Sequence, residues 1–170
     1  MQTTKAQSPL FKRVIIVIIS LLIVVAIWIA IALAFPGENT MFAGKRPTNL
    51  GVQSGQLAPC PISPNCVSSF SQDAEHKINP LAYTSTPAQA MADLKKVIQS
   101  LERTQIISQT DNYLYAEFSS ALMGFVDDVE FLLDEEQKAI QVRSASRLGE
   151  SDLGVNRKRI ETIRAKFSQL

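Results

Sequence analysis

The feature that most constrains this chain is the run Val14–Phe35, built almost wholly of Val, Ile, Leu and Ala and interrupted by one polar residue, Ser20. A run of about 20 apolar residues is long enough to cross the hydrocarbon core of a bilayer as a helix. Its many β-branched residues lower helix propensity in water. In hydrocarbon, however, every peptide group must be bonded within the segment, and helix is then the one single-segment solution. The expectation is one transmembrane helix over 14–35, with Trp28 inside it, after a short tail over 1–13. Ala32-Leu33-Ala34 satisfies the small-x-small rule of a cleaved signal peptide. The apolar run nevertheless exceeds the roughly 7–15 residues of a signal h-region, which favours retention. Lys5, Lys12 and Arg13 precede the run, and Lys45 and Arg46 follow at a greater distance. That bias puts the N-terminus in the cytoplasm and the rest in a periplasm or lumen, on a plasma or thylakoid-type membrane crossed once.

Roughly 130 residues remain, enough for one ordinary core. We expect a spacer over 36–50 and a single α+β domain over 51–170 that opens with a Pro-rich arm, since seven of the eight prolines fall between Pro36 and Pro87. Phe42, Leu50, Leu57, Val67, Phe70, Ile78 and Leu81 are available to dock parts of this stretch on the domain. A formal net charge of +1 argues against wholesale nucleic-acid binding, whose usual mark is a strongly basic domain. Cys60 and Cys66 bracket a loop stiffened by Pro61 and Pro64. Outside the cytoplasm a disulfide is the economical reading, with a redox-active pair, a metal-ligating pair and free thiols as alternatives. The spacing is not Cys-x-x-Cys, and His76 is the only histidine that could complete a metal set, so no metal or cofactor is expected.

Thr86, Pro87 and Gln89 form a capping-box signature, after which Ala90, Met91, Leu94, Val97, Ile98 and Leu101 recur at helical spacing. After Arg103 the period changes to two. Residues 105–110 and 113–119 flank the turn-forming Asp111-Asn112, and 125–133 and 139–146 flank the acidic turn 134–138, giving two hairpins. A last helix should run from about Asp152, its N-cap, to Gln169, with Asn156, Ile160, Ile163, Phe167 and Leu170 inside and Arg157, Lys158, Glu161 and Arg164 in water. The order helix, four strands, helix suggests a four-stranded antiparallel sheet with both helices on one face.

If Leu133 pairs with Ile140, then Phe131 faces Val142, Val129 faces Ser144 and Asp127 faces Ser146. Asp127 on an apolar face needs a partner, for which Ser144, Ser146, Arg147 and Arg159 are the candidates. Asp127, Ser144, Ser146, Arg147, Asn156 and Arg159 therefore either line a binding pocket at one end of the sheet or form a buried polar clip between sheet and helix. On the other face Glu130 opposite Arg143, with Asp128 near Arg147, reads as a solvated charge ladder without function. The stretch Arg143–Arg159 carries five cations and leads through Gly149 and Gly154 into a helix start, a general anion site unless Asp152 occupies the cap itself. Ser68, Cys66 and His76 do not complete a hydrolase motif, and no Walker loop, Rossmann fingerprint or metalloprotease motif occurs.

Three blocks in order carry a resemblance. They are Gly55–Ser69 with its Cys60-Pro61-Ile62-Ser63-Pro64-Asn65-Cys66 loop, followed by Asp73, His76 and Pro80; Leu122–Phe131; and Arg143–Arg159. Over about Arg46–Arg164 the chain resembles the bacterial and chloroplast family called domain of unknown function 1499. The resemblance implies a domain boundary and not a reaction. It also agrees with a membrane anchor, which members often carry. The reading that results is a membrane-anchored extracytoplasmic binding or assembly module contacting the lipid bilayer and an envelope protein or an anionic small molecule. The alternative is an envelope hydrolase or thiol-redox enzyme using Cys66 and His76, or Asp127.

Overall fold

The computed structural model describes residues 9–34 and 42–170. The chain divides into two compact units, Met1–Asn39 and Thr40–Leu170.

The first unit holds one helix, α1 (Pro9–Ala34), which starts before the expected Val14; Phe35 lies outside the described residues. Apolar side chains from Leu10 to Ile29 are exposed all round it, and Leu10–Ala30 is long and apolar enough to cross a membrane. Ser20 Oγ donates to the Ile16 carbonyl at 2.9 Å, so the single polar interruption is satisfied within the helix.

The second unit is α+β. Its elements are β1 (Cys66–Ser68), β2 (Leu81–Ala82), α2 (Pro87–Gln99), β3 (Thr104–Gln109), β4 (Tyr113–Ser119), β5 (Val126–Asp134), β6 (Ala139–Ser146) and α3 (Val155–Phe167). The sheet has six strands rather than the expected four, ordered β1-β6-β5-β4-β3 with β2 also paired to β6, and all antiparallel. The two extra strands come from the Pro-rich arm. β1 lies on Arg143–Ala145 and β2 on Ala139–Ile140, so two short pieces share the outer edge of β6. Strands of three and two residues are too short to produce a legible alternation.

The second hairpin pairs as the alternation requires: Leu133 with Ile140, Phe131 with Val142, Val129 with Ser144 and Asp127 with Ser146. One sheet face, carrying Leu114, Ala116, Phe118, Val129, Phe131, Ile140 and Val142, packs with α2 and α3 into a single core. Thr86 caps α2 by accepting from the Gln89 amide at 3.3 Å, whereas the Gln89 side chain turns to Asp93, so half of the capping box forms. In α3, Asn156, Ile160, Ile163 and Phe167 are buried as the seam predicts, but Leu170 is exposed. Arg157 and Arg164 do not stand free in water. They donate to the carbonyls of Glu75, Lys77, Asn79 and Pro80 and fasten the arm to the helix.

The opposite sheet face is also covered. Phe42 packs on Phe125 with ring centroids 5.1 Å apart and planes tilted by 41°, a Cβ on Gly44 would meet Arg147 and Leu148 at 3.0 Å, and the Gly51 amide donates to Glu130 at 2.7 Å. Phe42, Gly44 and Arg46 belong to the stretch expected as spacer; residues 36–41 lie outside the described residues. Gly44 has φ +67° and that close approach together, two reasons for a residue without a side chain. Residues on both faces of β5 and β6 are consequently buried nearly throughout.

Candidate functional site

β5, β6, α3 and the arm deliver polar groups to the end of the sheet where β5 begins and β6 ends. On the helix side, Asp127 of β5, Ser144 and Ser146 of β6 and Asn156 and Arg159 of α3 come together, as the strand register predicts. Asn156 is fully buried. It donates to Ser146 Oγ and to the Asn65 carbonyl, each at 2.9 Å, and accepts from Ser144 Oγ and Arg159 Nη1. Arg159 also donates to Ser144 Oγ at 3.1 Å, forms an ion pair with Asp127, and lies 4.9 Å over the Phe118 ring. These bonds join β5, β6, α3 and the arm and leave the polar side chains facing one another, which is the geometry of a clip.

Arg147, expected either in this group or beside Asp128, projects to the Asp128 face. There it spans both Asp128 oxygens at 2.7 to 3.1 Å, donates to the Tyr115 hydroxyl at 3.2 Å and pairs with Glu117. The Tyr115 hydroxyl donates to Asp128 at 2.6 Å, and Arg46 reaches Glu117 at 2.7 Å. Beside them Glu130 accepts from Tyr113, from the Gly51 amide and, at 3.3 Å, from Arg143. Arg143 Nε is buried without a hydrogen-bond partner among the described residues.

The pairings expected of a solvated ladder are therefore present, but the ladder is not solvated. Asp128 is 1% exposed, Glu130 0% and Arg143 5%, because the segment 42–55 lies over this face. Burial pushes the Tyr113 and Tyr115 hydroxyls well above the ordinary tyrosine range, reinforced at Tyr113 by the Glu130 charge and at Tyr115 by hydrogen bonds to Asp128 and Glu117. Burial opposes ionisation of Glu117, yet hydrogen bonds from Arg46, Tyr115 and Arg147 outweigh it and hold this carboxyl below its ordinary range. At Arg147, burial disfavours the cation, but its two carboxylate partners raise the pKa overall.

The five cations between Arg143 and Arg159 do not converge on one anion site. Arg143 and Arg147 lie on one sheet face and Arg159 on the other, while Arg157 is turned to the arm. The start of α3 is already occupied: Asp152 accepts from the Gly154 amide at 2.9 Å and the Asn156 amide at 2.7 Å. Gly154, at φ +79°, is the boundary residue, so Asp152 caps the helix from just outside it.

The arm carries the remaining candidates. Cys60 and Cys66 are joined as a disulfide, His76 Nδ1 lies 2.7 Å from Asp73 and Nε2 lies 3.2 Å from the Ser63 carbonyl, and Ser68 Oγ accepts from the Phe70 amide. The His76 ring thus bonds to Asp73 and Ser63 rather than to Ser68. Among the described residues no cluster of three or more His, Cys, Asp or Glu is placed to hold a metal.

The outer side of the Arg159 clip opens on a surface groove of about 320 Å³. Its buried and half-buried floor is Phe118 and Leu101; the exposed Val155 and Thr162 and the cations Arg103, Lys158 and Arg159 stand around it, with Glu102 paired to Arg103 at 2.8 Å. Apart from Arg159, sequence reasoning missed this groove. Its walls come from the turn between α2 and β3, from β4 and from α3, and neither periodicity nor a motif links those segments.

A family model described as protein of unknown function (DUF1499) matches residues 56–167, running from the arm through the last turn of α3. The chain belongs to the DUF1499 family. No curated protein sequence matches it. The family region takes in both sheet faces and the disulfide loop, while the segment 42–55, which covers the Asp128 network, precedes it.

Proposed function

We propose that this chain is a membrane-anchored binding module, held outside the cytoplasm, that takes an anion bearing an apolar part in the groove beside Arg159. The observation that carries this reading is the combination of an apolar floor, Leu101 and Phe118, with three cations, Arg103, Lys158 and Arg159, around one open cavity; Glu102 pairs with Arg103 and Asp127 with Arg159, which leaves Lys158 as the cation without an acid among the lining residues. A small phosphate or carboxylate would use the cations alone; the floor selects for a hydrocarbon portion as well. The length and composition of α1 support the anchor, and the Cys60–Cys66 bond supports an oxidising compartment. Cys66 is taken up in the disulfide, and Ser68 and His76 of the arm are engaged in internal bonds, so no observation favours the enzyme reading.

The test is titration of the full chain in nanodiscs with hexyl phosphate, inorganic phosphate and hexyl glucoside, followed calorimetrically. Hexyl phosphate should bind more tightly than either of the others, and Lys158→Glu should weaken it roughly tenfold, about 1.4 kcal/mol. Equal affinity for hexyl phosphate and inorganic phosphate, or no effect of Lys158→Glu, would remove the groove as the site.

A further inference from the structure

The apolar side chains exposed on the 42–170 unit are not scattered. Nine large ones are exposed there, and seven stand at the single end of the sheet where β4 ends, β5 begins and β6 ends. Leu122, Met123 and Phe125 lie on the loop between β4 and β5. Leu148 and Leu153 lie on the loop before α3, and Ile62 is at the tip of the disulfide loop. The seventh, Val155, opens α3.

These loops are tied to one another. Arg147 N donates to the Val126 carbonyl, Ser146 N to the Asn65 carbonyl, and Asn65 Nδ2 to the Gly149 carbonyl. Ile62, Leu122 and Leu153 are 97%, 88% and 94% exposed, the values of loop tips holding large aliphatic groups in water. Apolar surface gathered in this way marks an interaction site.

The occupant is indicated by where the chain enters. Phe42 packs in a tilted ring contact on Phe125 of this same patch, and Gly44 lies against Leu148. Only residues 35–41 separate Phe42 from the end of α1 at Ala34. Such a tether reaches roughly 28 Å at most, and its domain end is fixed within the patch. We propose that this loop end rests in the headgroup region of a lipid bilayer, with Leu122, Met123, Leu153 and Ile62 at the boundary with the acyl chains. The proposal rests on the reading of α1 as a membrane anchor.

The test uses the full chain with one added cysteine, Leu122→Cys, Leu153→Cys or, at the opposite end of the sheet, Glu136→Cys. Each is labelled with an environment-sensitive fluorophore, with the native disulfide kept, in phosphatidylcholine vesicles containing phosphatidylglycerol. All three positions are exposed, so the fold is not at stake. Labels at 122 and 153 should emit to the blue of the label at 136, be quenched by brominated lipid, and lose most of their quenching by aqueous iodide. Iodide quenching at 122 and 153 equal to that at 136, in protein that floats with the vesicles, would overturn the proposal and leave the anchor standing. Protein that fails to float would overturn the anchor and the proposal with it. Labels that are wet in lipid vesicles but shielded in native membranes would also overturn it, assigning the patch to a protein partner.

Discussion

Asp127 and Asp128 are adjacent in sequence, yet their carboxylates lie on opposite faces of β5, each against an arginine. Asp127→Ala leaves Arg159 with Ser144, Asn156 and the Phe118 ring, so the cost should be about 2 kcal/mol. Asp128→Ala removes the main partner of a guanidinium whose side chain is 6% exposed, and about 3 kcal/mol or more is expected. Chemical denaturation of the two variants in detergent checks this, and a negligible loss for Asp128→Ala would show that the segment 42–55 does not shield that face. Strand alternation alone suggests the reverse order, because it cannot register what covers the second face. Glu117 adds a pH dependence. Its folded pKa lies below the ordinary glutamate value of 4.5, so its contribution is fully present above that value and is lost as pH falls through the lower, folded one. Glu117→Gln should therefore flatten the fall of melting temperature below about pH 4.5 and leave the neutral range parallel to the parent.

Among the elements, α3 does the most joining. Its first turn is capped by Asp152, its buried seam closes the core, Arg159 holds β5, and Arg157 and Arg164 hold the arm. Asp152→Ala removes the acceptor of two amides at once and should cost about 1 kcal/mol, read as faster hydrogen exchange confined to the first turn of α3. Exchange spread over the sheet instead would mean that the loop 147–154, not the helix start, depends on Asp152. The arm is built on another plan. Short pieces at β1 and β2 fill the edge of β6 and leave fewer unpaired strand groups there, a common protection of sheet edges.

For the whole molecule, the two compact units differ in what surrounds their apolar groups. α1 exposes its apolar side chains on every side, whereas the 42–170 unit buries a core against one sheet face and a charged network against the other. A reporter active only outside the cytoplasm, fused after Leu170, should be active, and the protein should resist alkaline extraction from membranes. An inactive reporter on stable protein would reverse the orientation, and alkaline release would refute the anchor. Removing the Cys60–Cys66 bond should lower stability by only roughly 2 kcal/mol, since the closed loop is small.

What the sequence determined by itself was whatever depends on near neighbours along the chain: the apolar helix, the Thr86 cap, the hairpin pairing of Leu133 with Ile140, and hence the meeting of Asp127 with Ser146. Periodicity and turn length are sufficient for these, because side-chain direction in a helix or strand follows from position alone. Tertiary structure decided the rest. The burial of Asp128, Glu130 and Arg143 depends on the segment 42–55, distant in sequence, whose Gly51 amide bonds to Glu130 and whose Gly44 lies against Arg147. The edge strands β1 and β2, the groove beside Arg159 and the gathering of Leu122, Leu153 and Ile62 arise likewise from segments with no local relation. Contacts of that kind are fixed by closure of the whole fold and leave no period in the sequence to read.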